Sequence, residues 1–283
     1  MKHSDYSMKN MMIAAFMAFS LTACTNQFAY NTLPFWIDYY LSDYVDMTSS
    51  QQQQLDKDLE VFHSWHRQVE LPKIQALLKQ VEQDTASPLS YSKIGEYHQQ
   101  VNETILASLV GLTPPLANLI RSLSDEQVEH WLQTLKDNID EGVEKANEGT
   151  TDDQVMRRQT RLVERMEVWV DAVNDKQQLQ LTEMASYQIE MRPVFYDIRD
   201  RLLEELTAIL LHRNEPDIEQ RINDYFSRLV HFQSDEYQSD MAIYLARRYE
   251  LLQRLDRHLS DKQRQVLRDK LASYVDDIND VLQ

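Results

Sequence analysis

Glycine and cysteine are both scarce in this chain of 283 residues. The four glycines are isolated from one another, at Gly95, Gly111, Gly142 and Gly149. Phosphate-binding loops of the P-loop and dinucleotide types need several glycines within a few residues, so the sequence excludes both. Tight β-hairpins also depend on glycine-containing turns, which disfavours β-sheet architectures. The single cysteine, Cys24, leaves no partner for a disulfide within the chain.

Basic residues are also in short supply. The chain has 29 Lys and Arg against 46 Asp and Glu, which gives a formal net charge of -17 at pH 7. Because nucleic-acid binding needs basic surfaces that displace counterions from phosphates, we expect no nucleic-acid partner. Broad electrostatic adhesion to anionic lipid headgroups is disfavoured for the same reason. A Gly-x-Ser-x-Gly nucleophile elbow is absent too.

The first residues have the pattern of an export signal. Lys2 and Lys9 precede an apolar run, MMIAAFMAFSL, at residues 11–21. A start of translation at Met8 would also give a compact basic segment before this run. The run is shorter than the roughly 20 apolar residues that span a bilayer, and its length is typical of a signal peptide. No later segment is expected to cross a membrane.

The apolar run ends in Leu21-Thr22-Ala23-Cys24, which resembles the lipobox of bacterial lipoproteins. The resemblance implies a signal peptide at residues 1–23, removed before Cys24, and a covalent lipid on that cysteine as the only prosthetic group. Several acyl chains would anchor the protein firmly to a membrane. Thr25 occupies the position where an aspartate favours retention in the inner membrane, so we expect the outer membrane, facing the periplasm. A lipidated Cys24 could not be a thiol nucleophile. Because the serine nucleophile elbow is absent as well, we expect that the protein is not an enzyme.

Residues 24–46 are rich in aromatic side chains. They include Phe28, Tyr30, Phe35, Trp36, Tyr39, Tyr40 and Tyr44. Tyrosine and tryptophan favour the bilayer interface, which is one interpretation of this segment. Asp38, Asp43 and Asp46 interrupt it, and no Lys or Arg occurs between Cys24 and Lys57. The other interpretation, which we favour, is a first helix packed on the body of the protein.

Helical periodicity dominates the rest of the chain. One apolar stripe has the spacing i, i+3, i+4, i+7 and i+11, at Val128, Trp131, Leu132, Leu135 and Ile139. The pattern predicts an all-α fold, a bundle or a set of paired helical hairpins. Pro34, Pro114 and Pro216 are each expected to open a helix, because proline is tolerated at the first helical position.

Four sites have the pattern of a capping box, in which a short polar N-cap precedes a glutamine by three residues. They are Thr48 with Gln51, Ser124 with Gln127, Asn174 with Gln177, and Ser260 with Gln263. The Leu-Ser-Asp-x-Gln cores at Ser124 and Ser260 are similar, and each follows a proline inside a helical pattern. We interpret this as a duplication: a first half at residues 47–150, then residues 151–283 with a linking helix followed by the second half.

His63, His66 and Glu70 are spaced i, i+3 and i+7, next to Trp65. On one helix face, two imidazoles and a carboxylate could bind zinc if a fourth ligand came from elsewhere, as a metal-binding protein or metal-dependent enzyme requires. The spacing is not the His-Glu-x-x-His of metalloproteases. The alternative, which we favour, is that Trp65 packs in the bundle and the histidines form hydrogen bonds across it, so that no metal binds.

Two families share motifs with the chain. Met47-Thr48-x-x-Gln51, Leu123-Ser124-x-x-Gln127 and Leu259-Ser260-x-x-Gln263 resemble the Leu-Thr-x-x-Gln motif of the Spy-type periplasmic chaperones, which are small and all-helical. A wider resemblance, over the first third of the mature chain, is to the DUF6279 family of uncharacterised bacterial lipoproteins. Its matching residues are Cys24, Tyr30-Asn31, Trp36, Asp43-Tyr44-Val45, Gln51, Trp65-His66-Arg67 and Glu70-Leu71-Pro72. Together these resemblances imply a non-enzymatic envelope protein whose partners are the membrane, other envelope proteins or client polypeptides.

Overall fold

A computed structural model describes residues 30–283, and this part of the chain is helical without a β-strand. The helices are α1 (Leu33–Ser42), α2 (Ser49–Trp65), a π-helical turn (His66–Glu70), α3 (Leu71–Asp84), α4 (Tyr91–Ser122), α5 (Asp125–Asn147), α6 (Thr151–Val170), α7 (Asp175–Glu190), α8 (Arg192–Leu211), α9 (Ile218–His231), α10 (Gln238–Arg257) and α11 (Asp261–Leu282). The all-α prediction is confirmed. The predicted signal peptide at residues 1–23, Cys24 and Phe28 lie outside the described residues.

The prolines occupy positions that only partly match the prediction. Pro34 lies in the first turn of α1, as expected. Pro114 does not open a helix, because it lies with Pro115 inside the 32-residue helix α4. Pro216 comes two residues before the start of α9 at Ile218. Packing of α4 against α2, α9 and α10 holds the helix together where proline removes backbone hydrogen bonds.

Within residues 30–283, α4 is the one helix that is long and apolar enough to cross a membrane, judged by length and composition. An 18-residue window in it has a mean hydropathy of 1.3. The expectation that no segment after the signal run reaches this composition is therefore wrong. In the structure, α4 lies in the bundle, and Ala117, Leu119 and Ile120 are among its buried residues. Burial of these side chains accounts for part of its apolar composition.

The main core combines helices from both halves of the sequence. Leu55 and Leu59 of α2 and Ala117 of α4 are buried together with Ile209 of α8 and Ile218 of α9. Helix α9 packs along α4, and α11 packs along α3. The second half of the sequence therefore completes the core of the first half. The duplication of one ancestral unit stays a prediction.

Capping boxes are present at all four sites where the sequence has the pattern. In each, the N-cap side chain accepts a hydrogen bond from the backbone N–H of the glutamine three residues on. The glutamine side chain in turn accepts one from the N-cap N–H. A fifth box, between Thr150 and Asp153, starts α6. The glutamine pattern does not include this box, because Asp153 supplies a carboxylate in place of the amide.

The four glutamines also pair with one another across the fold. Gln51 Nε2 donates to Gln127 Oε1 (3.0 Å), and Gln127 Nε2 donates to Gln51 Oε1 (2.9 Å). Gln177 and Gln263 make the same reciprocal pair, with both distances 3.0 Å. We call these pairs the first and second glutamine clasps. Each joins the starts of two helices that are far apart in sequence.

The two clasps share the same set of backbone hydrogen bonds. Each glutamine amide also donates to a backbone carbonyl two residues before the N-cap of its partner box. These carbonyls belong to Ser122 and Asp46 in the first clasp, and to His258 and Ala172 in the second. Each Oε1 accepts from its own N-cap N–H and from its partner, so both donors and both acceptor positions of every amide are used.

Candidate functional site

The histidines at the end of α2 lie under the residues that precede α1. His63 Nε2 donates to the backbone carbonyl of Tyr30 at 2.9 Å. The Tyr30 hydroxyl is 3.0 Å from His66 Nδ1. His66 Nε2 is 3.3 Å from Ser108 Oγ on α4. His66 therefore links the N-terminal segment to the central helix, which matches the packing interpretation of these histidines.

The proton positions at His66 follow from its partners. Ser108 donates its hydroxyl hydrogen to the Thr104 carbonyl at 3.0 Å, so its oxygen accepts from His66 Nε2–H. His66 Nδ1 is then a lone-pair acceptor for the Tyr30 hydroxyl. This arrangement requires the neutral imidazole. A proton on Nδ1 would remove the acceptor that the Tyr30 hydroxyl uses.

Electrostatics favour the same neutral form. Burial lowers the pKa of His66 to about 4, with the nearby Glu70 raising it in part and His63 lowering it further. Burial also lowers the pKa of His63. For Tyr30, burial raises the pKa to about 12, against the opposing effect of Arg67. At neutral pH the site therefore holds two neutral imidazoles and a neutral phenol.

A π-helical turn separates His66 from α3. In it, the backbone N–H of Leu71 bonds to the His66 carbonyl, five residues back. Pro72 follows directly in the first turn of α3 and has no N–H to donate. The wider turn accommodates this proline within a continuous helical path. The π-helical turn also moves Glu70 away from the helix face that it would share with His63 and His66 in a regular α-helix.

Glu70 is 3% exposed. Its Oε1 pairs with Lys73 Nζ at 2.8 Å, and its Oε2 is buried without a hydrogen-bond partner. Within residues 30–283, no three His, Cys, Asp or Glu side chains form a group that could hold a metal ion. The structure thus does not assemble His63, His66 and Glu70 into the metal site that the alternative hypothesis needs. The ring nitrogens of His63 and His66 form hydrogen bonds with Tyr30 and Ser108 instead.

Trp65 packs directly on the backbone of α4. A Cβ atom at Gly111 would lie 2.0 Å from Trp65 Cζ3, so only glycine fits there. Phe62 and His66 surround the same indole, with ring centroids 6.0 and 6.3 Å away. The sequence predicted a packed Trp65 but missed Gly111 beside it and Ser108 beside His66. No local pattern marks either residue, because both contacts cross between helices.

A shallow groove lies beside this cluster, open to solvent. His63, Ser64 and Arg67 line one side, and Asn31 and Phe35 line the other. The Arg67 guanidinium bonds to Asn31 Oδ1 and lies 5.7 Å from the centre of the Tyr30 ring. The stretches Tyr30-Asn31 and Trp65-His66-Arg67, which the sequence resemblance matched separately, thus meet in one place. Within this groove, His63 Nε2 is bonded to the Tyr30 carbonyl and Ser64 Oγ accepts from Gln68 Nε2.

Comparison with known proteins gives the family alone. No curated protein and no solved structure matches the chain significantly. One family model, described as a family of unknown function (DUF6279), matches residues 43–238. The match runs from the end of α1 to the start of α10 and extends well beyond the first third seen in the sequence motifs. Because it covers more than half of the chain, the protein belongs to the DUF6279 family, whose function is unknown.

Proposed function

We propose that the protein is a lipoprotein of the bacterial envelope that binds other polypeptides without catalysing a reaction. A lipid on Cys24 would hold its helical body at the outer membrane, facing the periplasm. The partners would be envelope proteins or unfolded client chains. The Leu-Thr-x-x-Gln-like motifs, which resemble those of Spy-type chaperones, support the chaperone-like form of this proposal.

The anchor rests on the sequence around Cys24. This residue is the only cysteine, and it follows an apolar run and the tripeptide Leu-Thr-Ala. A structural role in a disulfide within the chain is impossible for a lone cysteine. Acylation of this thiol would give it a role that fits its position.

The non-enzymatic role rests on one observation about the candidate site. The histidines that were the best candidates for chemistry form hydrogen bonds with Tyr30 and Ser108, and only His63 lines the shallow groove. Elsewhere, large apolar side chains are exposed on several helices, among them Val61, Met156, Leu179, Leu211 and Ile243. Such side chains can contact the accessible apolar residues of an unfolded polypeptide, because removing apolar surface from water is favourable.

The proposal is tested by the aggregation of an unfolded client. Light scattering of reduced α-lactalbumin would be followed with and without the purified protein. We expect a delay at near-equimolar ratio, and a shorter delay when Leu179→Ser and Ile243→Ser remove two exposed apolar side chains. Gln178→Ser, at the exposed neighbour of Leu179, is the control and should leave the delay unchanged.

Two results together would contradict the binding role. The first is an unchanged aggregation rate at a tenfold excess of the protein. The second is the failure of cross-linking in native membranes to retain any envelope partner.

A further inference from the structure

Helix α1 has two different sides. Ile37 and Leu41 pack against the main core, together with Tyr44 just after the helix. On the other side, Phe35 is 58% exposed and Tyr39 is 47% exposed. The sequence posed packing and interface contact as alternatives for this segment. The structure gives α1 a packed side and an unoccupied aromatic side at the same time.

The outward side is a continuous group of rings. Phe35 and Tyr39 stack with centroids 6.2 Å apart, and Trp36 meets Tyr39 edge-on at 6.0 Å. Tyr40 extends the group, 5.6 Å from Tyr39. We call Phe35, Trp36, Tyr39 and Tyr40 the aromatic face. Tyrosine and tryptophan combine an apolar ring with a polar group, and this suits them to the zone between lipid headgroups and acyl chains.

The aromatic face borders residues of α2 and the π-helical turn. Phe35 lines the groove with Ser64 and Gln68 of the α2 end and the π-helical turn. Val61, one helical turn before Ser64, is among the most exposed apolar side chains of the described chain, and Val69 is exposed as well. Most of the residues that line this groove are polar or charged, among them Glu60 and Arg67, so the aromatic face has a polar border on this side.

The position of α1 in the chain indicates what this surface contacts. Tyr30 lies six positions after Cys24, and six residues of fully extended chain span at most about 20 Å. If Cys24 is acylated, as the proposed function requires, α1 cannot leave the vicinity of the bilayer. The absence of Lys and Arg between Cys24 and Lys57, together with Asp38 and Asp43, disfavours attraction to anionic headgroups. Apolar contact is then the dominant attraction available.

We propose that the aromatic face of α1 lies in the interface of the phospholipid bilayer that carries the lipid anchor. This inference rests on the proposed lipidation of Cys24. The acyl chains would fix the protein to the membrane, and the aromatic face would fix the orientation of the helical body. The histidine cluster and the groove at Arg67 would then lie near the membrane surface.

The test uses the quenching of tryptophan fluorescence by bromine atoms on lipid acyl chains. The acylated protein is reconstituted into vesicles of phosphatidylethanolamine and phosphatidylglycerol, with and without brominated chains. Trp36 is one of four tryptophans. Since interfacial insertion brings its indole near the bromines, we expect quenching of up to about a quarter of the emission. The Trp36→Phe variant should lose this quenching.

A pair of double variants separates this surface from general stickiness. Phe35→Ser with Tyr39→Ser should reduce the quenching of Trp36 at least twofold, while circular dichroism shows an unchanged fold. The matched control is Leu179→Ser with Ile243→Ser, which removes apolar side chains that are 72% and 53% exposed in the second half. This control should leave the quenching unchanged.

Several outcomes would overturn the inference. One is equal quenching in the native protein and the Trp36→Phe variant. Another is a doubled mass in analytical ultracentrifugation that the Phe35→Ser and Tyr39→Ser changes abolish, which would assign the aromatic face to a second copy of the chain. The mass of the mature N-terminal peptide is measured on the same sample. An acylated peptide without quenching refutes only the inference, whereas an unacylated peptide refutes the anchor itself.

Discussion

At the residue scale, the glutamine clasps show how a side-chain amide can be fully satisfied inside a protein. Gln177 is completely buried, and it donates to Gln263 Oε1 and to the His258 carbonyl while its own Oε1 accepts two hydrogen bonds. A buried amide is costly when its hydrogen bonds are missing and harmless when all are made. The clasp therefore stabilises the contact between these helix ends, because separating them inside the fold would leave amide groups unpaired.

The first prediction replaces this amide by a carboxylate of the same shape. Gln177→Glu removes both donors and places a negative charge against Gln263 Oε1 and the His258 carbonyl. We expect the free energy of unfolding to fall by about 3 kcal/mol at pH 7. Urea denaturation followed by circular dichroism measures this loss. Gln178→Glu, at the exposed next residue, should change stability by less than about 0.5 kcal/mol.

The pH dependence of Gln177→Glu gives a second readout. Burial, and the Gln263 and His258 oxygens that face the replaced amide nitrogen, raise the pKa of the new carboxyl above its unfolded value, so the protonated form stabilises the fold at low pH. This stability is lost as pH rises through the folded pKa. The difference in stability from the native protein should shrink below pH 5. A difference that stays constant with pH would show that the amide donors have no specific role.

His66 gives the second prediction, because its neutral form is required in the folded state. Its folded pKa of about 4 lies below the ordinary value of 6.5. The unfolded chain therefore takes up a proton between about pH 6.5 and 4 while the folded chain does not. Stability from this residue is complete above pH 6.5 and falls as pH decreases to 4, by roughly 3 kcal/mol in total.

The measurement for His66 is a titration of its imidazole protons by NMR, combined with urea denaturation at several pH values. The His66→Gln variant removes the titrating group, so its stability should fall less steeply between pH 6.5 and 4.5. An imidazole pKa near 6.5 in the native protein would contradict the neutral hydrogen-bonded state.

At the scale of elements, two glycines of α4 differ in the space that surrounds them. Gly111 lies against the ring of Trp65, where a Cβ would be 2.0 Å from a ring carbon. Gly95, in the same helix, has ordinary room for a Cβ at 3.5 Å from Tyr249. A methyl group at the first position must displace the indole, while at the second it only reduces the flexibility of the unfolded chain.

The third prediction follows from this difference. Gly111→Ala should destabilise the protein by about 2 kcal/mol or more, through overpacking against Trp65. Gly95→Ala should instead stabilise it by up to about 1 kcal/mol, because alanine favours the helix. Thermal denaturation of both variants checks the pair. Equal effects of the two substitutions would show that Trp65 does not pack on the backbone of α4.

The elements also show what the sequence could and could not predict. Capping boxes depend on residues three positions apart, so a local pattern located four of the five that the structure contains. The pairing of Gln51 with Gln127 depends on two helices meeting, which no local pattern records. The π-helical turn before Pro72 and the prolines inside α4 were missed for a related reason. At both places, packing against other helices determines how the backbone accommodates the N–H that proline lacks.

The candidate site was predicted only in part as well. A packed Trp65 and hydrogen-bonded histidines followed from residue types and helical spacing. Tyr30 was expected to belong to an aromatic segment, and its contacts with His63 and His66 join residues more than 30 positions apart. The spacing also suggested a metal site, which needs a regular helix through Glu70. The π-helical turn removes that regularity.

At the scale of the whole molecule, the halves of the sequence depend on each other. Ile218 and Ile222 of α9 are buried in the same core as Leu55 and Ala117 of the first half. Helix α11 packs on α3, with Gln75 Nε2 donating to Asn279 Oδ1 at 2.6 Å. A duplicated unit whose copies stayed independent would bury these residues within one half. The structure divides the main core and the cluster of α3 with α11 between both halves instead, while two smaller clusters lie within residues 151–283.

The fourth prediction tests this dependence. Residues 173–283 produced alone should retain some helix but lack a cooperative thermal transition, because Ile218 and Ile222 lose the residues that cover them. Circular dichroism melting and the dispersion of amide NMR signals measure this, with the full protein as the reference. A sharp transition and dispersed signals in the isolated half would show that it is an independent domain.

The proposed function requires that the molecule be held at a membrane by its single cysteine. The most direct measurement is the mass of the mature N-terminal peptide from cells, together with membrane fractionation of the native protein and the Cys24→Ser variant. We predict an acylated peptide that begins at residue 24 and a membrane-bound native protein, with neither acylation nor signal cleavage at this site in Cys24→Ser. An unmodified Cys24 thiol, or equal membrane association of the two proteins, would contradict the account.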